Sequence, residues 1–151
     1  MTLASKTGNQ TLKAKVGTIC FARLLENEDV LRAVKRSAQE SGVKAGIFLV
    51  IGALKQVVLG CYRDGEYVTV QRSGHLEIAS CVGNIALDEK RETFVHAHIV
   101  VSNEKCEAFG GHLMDGSRVG PTAELVIIEA DGADLRRVFD EKTKLKLLML
   151  G

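Results

Sequence analysis

The sequence predicts a single α+β domain, a predominantly antiparallel β-sheet with one main helix packed on it. Three observations carry that reading. A chain of 151 residues suits one compact core. Helical spacing of apolar residues occurs clearly in one stretch, from about residue 28 to 41. Beyond residue 45 the apolar runs are short, rich in β-branched residues, and bounded by turn pairs such as Asp64-Gly65, Asp115-Gly116 and Asp131-Gly132.

The elements follow in order. Residues 1–11 read as a frayed N-terminus, polar and mixed, and residues 12–151 as the domain. KAKVGTICFARL alternates imperfectly and reads as a first strand, up to Leu25. The helix is expected from about Glu28 to Ser41, with Asn27 as N-cap and Glu28 and Asp29 in its acidic first turn. Val30, Leu31, Val34 and Ala38 form its apolar stripe, while Arg32, Lys35, Arg36 and Gln39 face away. Gly42 supplies a left-handed stop. AGIFLVIGALKQVVLGCY holds two strand-like runs, 45–51 and 53–62, broken near Gly52. Asp64-Gly65 turns the chain into EYVTVQ. LEIASCVGNIAL, TFVHAHIVVS, EAFGGHL, AELVIIEA and LKLLML are further strands, and DLRRVF is expected to form one short helical turn.

Composition narrows the function. Twenty Lys and Arg against nineteen Asp and Glu leave a net charge of +1, which excludes nucleic-acid binding by bulk charge. Two tyrosines and no tryptophan offer few platforms for stacked bases. No apolar run approaches the roughly 20 residues a bilayer span needs. The first dozen residues lack the apolar core of a secretory signal, so a cytoplasmic protein is expected. Cys20, Cys61, Cys81 and Cys106 are scattered, contain no C-x-x-C, and read as small buried hydrophobes, not as a disulfide scaffold.

The chemistry concentrates in FVHAHIVVSNEKCEAFGGHLMDG. His96 and His98 are two apart in a strand pattern, so their imidazoles share one face, about 7 Å apart at the backbone. Val95, Ala97 and Ile99 take the opposite, apolar face. His112 lies on the next strand. If Ser102 pairs with Cys106, His96 stands opposite His112; with a turn two residues longer, His98 does. Either odd-length loop puts all three on one face, whereas a two-residue loop turns His112 away unless Gly110-Gly111 forms a bulge. Three neutral imidazoles leave one tetrahedral position open, the form of a catalytic zinc site. Nickel or iron would fit the same ligands.

Other residues are weaker candidates. Glu77 and Glu124 each sit within an apolar strand; beside a metal, either could orient water or move a proton. Arg23, in CFARLLE, could clamp an anion or pair with a glutamate. These three are the catalytic candidates. His75 lies outside the hairpin and reads as surface or the edge of a pocket. GHLMDG has the glycine spacing of a phosphate loop, but Ser117-Arg118 follows where Lys and Ser or Thr belong.

The ordered set GALKQVVLG, LEIASCVGNIAL, HAHIVV, GGHLMDG and TAELVI resembles the PPC (plants and prokaryotes conserved) domain, from about Val16 to Leu150. The H-x-H pair followed by G-G-H-L is its most specific part. The resemblance implies an α+β fold, assembly as a homotrimer, and a fold similar to acetolactate decarboxylase, where an H-x-H plus H arrangement holds zinc. By motif position His96, His98 and His112 would be the ligands here. In plants the domain follows a basic R-G-R-P element that enters the DNA minor groove; this sequence has none.

Three readings follow. The chain is a PPC protein with a three-histidine zinc-like site open to a small-molecule ligand, its role unassigned. Alternatively it is a DNA-associated regulator acting without that basic element or through a transcription-related partner. Or it is a metal-dependent lyase or hydrolase acting on a small oxo acid; against all of these stands a protein that only mediates assembly, its histidines inert.

Overall fold

The computed structural model describes residues 10–151, so the expected frayed segment lies almost wholly outside the described residues. The chain runs β1 (Lys15–Leu25), α1 (Val30–Glu40), β2 (Gly46–Arg63), β3 (Glu66–Asp88), β4 (Thr93–Ser102), β5 (Ala108–Leu113), β6 (Arg118–Asp131), β7 (Leu135–Asp140) and β8 (Leu145–Leu150). The eight strands form one sheet in the order β1-β6-β2-β5-β4-β3-β7-β8, with β2 also paired to β3. Four strands thereby close on themselves: β2 pairs β3, β3 pairs β4, β4 pairs β5, and β5 returns to β2. All these pairings are antiparallel; the parallel contact is between β3 and β7. The α+β class and its antiparallel sheet are as the sequence predicts. None of the helices described is long and apolar enough to cross a membrane.

Alternation builds the core. Phe48, Val50, Leu125 and Ile127 point inward from β2 and β6, and Ile85, Ala97, Ile99 and Leu113 from the strands beyond. The helix closes one side with Val30, Ala33, Val34 and Ala38. Burying each valine there contributes about 1.5–3 kcal/mol. Ala33 takes the place expected of Leu31, which is only partly buried.

The structure corrects four local expectations. The helix N-cap is Asp29, not Asn27: Asp29 is extended and its carboxylate accepts from the Arg32 amide. Asn27 is left-handed at φ 71° and belongs to the preceding turn. The cause is tertiary, because Asp29 forms a bridge with Arg118 and holds the chain straight for two more residues. Gly52 does not break the strand. At φ 121° it marks a register shift within one continuous β2, where a Cβ would lie 2.6 Å from Ala123 Cα. DLRRVF is strand, not helical turn, since all six residues of β7 pair along β8; so short a helix would not repay its nucleation. Among the cysteines only Cys81 is buried; Cys61 and Cys106 are exposed, and all four are free.

Candidate metal centre

The site grows from the pairing of β4 with β5. Ala97 and Ile99 are buried, so the pleat sends His96 and His98 to the other face. Ser102 pairs with Ala108, which gives the longer of the two odd-length connections and sets His98 opposite His112. Asn103 fixes that connection. Its side-chain oxygen accepts from the Lys105 and Glu107 amides, and its own amide donates to the Glu107 carbonyl. The ladder through Gly110 and Gly111 is regular, so these glycines form no bulge. They serve close strand approach: a Cβ would stand 2.5 Å from the Ile99 oxygen at Gly110 and 2.9 Å from the Gly60 oxygen at Gly111. Gly83 does the same on the far side of β4, where a Cβ would meet the His96 oxygen at 2.3 Å.

The three imidazoles converge. Ring centroids of His96 and His112 are 4.9 Å apart, those of His96 and His98 5.3 Å, and those of His98 and His112 5.5 Å. One ring nitrogen from each lies within 4.8 Å of the others. Nitrogens bound about 2.0–2.1 Å from a tetrahedral ion stand about 3.4 Å apart, so small ring rotations close the set. Burial pulls the His96 pKa down to about 4, with the Arg137 charge and the other two histidines adding to it. Burial also lowers His112, followed by His98 and Arg137. Both rings are therefore neutral at pH 7, as ligands must be.

A cavity of about 300 Å³ opens beside them, lined by Tyr67, Phe94, His96, His112, Arg137 and the strand from Lys144 to Leu147. The Tyr67 hydroxyl lies 3.4 Å from His112 Nδ1. Arg137, only 6% exposed, reaches Asn84 Oδ1 at 2.7 Å and His96 Nδ1 at 3.1 Å through Nη2, and the Lys146 carbonyl at 3.2 Å through Nη1. Sequence reasoning missed Arg137. A charge inside an apolar run was its signal, hidden because LRRVF also suits a helical turn.

The proposed catalytic side chains lie elsewhere. Arg23 and Glu124 are register partners on β1 and β6, exposed, and line an open apolar groove with Phe21, Leu49 and Ile51. Glu77 is exposed and lines a separate cavity with Glu26, Lys55 and His75. None of the three lines the cavity beside His96 and His112.

Comparison with known proteins identifies the family and the fold. A family model described as the Plants and Prokaryotes Conserved (PCC) domain matches residues 11–131, which include all three histidines. A solved plant- and prokaryote-conserved protein from Pyrococcus horikoshii is 31% identical, with TM-score 0.85 over 93% of this chain and 97% of that one. A metal-containing protein from Archaeoglobus fulgidus is 29% identical, with TM-score 0.84 over 93% and 99%. A segment of the bifunctional protein GlmU of Synechococcus sp. (strain JA-3-3Ab) is 31% identical over 110 residues. That match covers 72% of this chain but 16% of the length of the Synechococcus protein. By its family match and its fold, the chain belongs to the Plants and Prokaryotes Conserved domain family.

Proposed function

We propose that the chain holds one divalent transition metal, zinc first among the candidates, on His96, His98 and His112, with one position left for a small ligand. The observation that carries this is the convergence of three imidazole nitrogens within 4.8 Å on one sheet face. A metal-containing relative at 29% identity supports it. Three neutral nitrogen ligands suit zinc and leave it an open site; nickel and iron are the competitors. When bound, such an ion polarises a carbonyl or activates water. In the metal-free chain Tyr67 stands against His112 and Arg137 against His96, so both rings are oriented before an ion binds.

The same reading includes self-assembly as a homotrimer. Its support is an exposed apolar face on β1, β6 and β2. Ile19, Phe21, Ile47, Leu49 and Ile51 are 41–79% exposed there. A contiguous patch of this kind marks an interface in a soluble protein.

The test is metal analysis of untagged protein purified without chelator. One equivalent of zinc per chain is expected, lost in His96→Ala and kept in His75→Ala. Full occupancy in His96→Ala would sink the proposal.

A further inference from the structure

We infer that the cavity beside the histidines is an anion site, in which Arg137 binds the carboxylate of a small 2-oxo or 2-hydroxy acid. This rests on the three-histidine metal reading and names the ligand class of that same site.

The starting point is a charge without a partner. Three cations line the cavity. Lys144 meets Glu141 at 2.6 Å and Lys146 meets Asp88 at 3.4 Å. Arg137 has no carboxylate among the described residues. Its acceptors are all neutral, and its Nε is buried with no hydrogen-bond partner. No aspartate or glutamate lines the cavity. A buried guanidinium normally has an ionic partner, because removing its hydration is costly.

Metal loading sharpens the need. Arg137 is a pure donor, so the 3.1 Å contact with His96 requires Nδ1 to accept. If His96 ligates through Nε2, its Nδ1 carries the proton and no longer accepts. If it ligates through Nδ1, that lone pair goes to the ion. Either way Arg137 Nη2 loses an acceptor, while two positive charges arrive beside it. An anion in the cavity satisfies both.

Size and lining narrow the anion. About 300 Å³ is at the small end of ligand cavities, which run from roughly 300 to 1,000 Å³. Leu145 and Leu147 give apolar walls for a short alkyl group, while the Phe94 ring lies against the Arg137 and Lys146 cations. The guanidinium suits a planar carboxylate. An oxygen on the adjacent carbon would serve as a further ligand for an ion held by His96 and His112, which line the same cavity. A 2-oxo or 2-hydroxy acid of a few carbons has all three features.

Calorimetric titration of the zinc-loaded full chain tests this, with pyruvate, its neutral amide and inorganic phosphate as probes. Pyruvate should bind one per chain, and the amide at least about tenfold more weakly. Arg137→Gln should weaken pyruvate at least about tenfold while keeping its zinc, with Arg137→Lys between the two. Equal binding of acid and amide, which needs no variant, overturns the inference. So does unchanged affinity in a folded Arg137→Gln, or binding of phosphate in preference to pyruvate. Zinc at one per chain with no pyruvate bound overturns the anion site and leaves the metal centre standing. Absence of zinc, nickel and iron alike from the unmodified protein overturns both.

Discussion

His98 and His112 face each other directly across β4 and β5, and His112 is in turn the register partner of Gly60 on β2. The pair is therefore held by three strands and not by the hairpin alone. His98 is the exposed member and lies outside the cavity lining. Replacing it with alanine removes little packing, so unfolding free energy in the metal-free state should change by less than about 0.5 kcal/mol. Zinc should nevertheless be lost, as a site with two imidazoles left holds the ion far less tightly. Urea unfolding together with metal content checks both halves. Retained zinc in His98→Ala would show that His98 is not a ligand.

Much of this site is legible in the sequence, for a physical reason. A strand has period two, so His96 and His98 had to share a face, and the apolar Ala97 and Ile99 had to take the other. What the sequence leaves open is the loop between Ser102 and Ala108, since two odd lengths satisfy the same parity. The Asn103 hydrogen bonds decide between them. Arg137 leaves only a charge among apolar residues as its signal, because its role depends on β7 lying beside Leu87 and Asp88 of β3, a contact distant in sequence. The same limit explains Glu124 and Arg23. An isolated charge in an apolar strand looks buried until the neighbouring strands show which face is open.

Asp29 should be the residue that anchors the helix. One carboxylate oxygen accepts from the Arg32 amide at 3.2 Å and the other from the Gly116 amide at 2.7 Å. Asp29→Ala loses a cap worth about 1 kcal/mol and leaves the Gly116 amide short of an acceptor, for about 2–3 kcal/mol in all. Asn27→Gly should be nearly neutral, because φ 71° suits glycine. Chemical denaturation of the two variants separates them. A larger loss in Asn27→Gly than in Asp29→Ala would return the cap to Asn27.

Stability of the metal-free protein should rise with pH between about 4 and 6.5. His96 titrates near 4 in the fold because burial, and then Arg137, disfavour its cation. In the unfolded chain a histidine titrates near 6.5. Between those values the unfolded chain binds more protons, so stability is lost as pH falls from 6.5 towards 4 and is flat above. His112 is shifted the same way and adds to the slope. Thermal unfolding in chelator across this range should show the trend, and His96→Gln, which keeps an acceptor for Arg137, should flatten it. Parallel curves for the two proteins would refute the assignment.

The apolar face and the histidine site belong to one surface. Successive register partners run Phe21, Val126, Leu49, Val82 and His98 across β1, β6, β2, β3 and β4. Directly paired residues project to the same side of a sheet. Phe21 is 79% exposed, Leu49 41% and Val82 49%. If that face joins the copies of a homotrimer, assembly brings a neighbouring surface towards His98. Phe21→Glu places a charge at the most exposed apolar position and should dissociate the assembly. Light scattering should then fall from the mass of three 16.4 kDa chains to that of one. His98 should also become more reactive towards an imidazole-acylating reagent in the metal-free variant than in the metal-free parent. An unmodified chain that is monomeric at micromolar concentration would rule this arrangement out. A Phe21→Glu trimer with unchanged His98 reactivity would place the contact on another face.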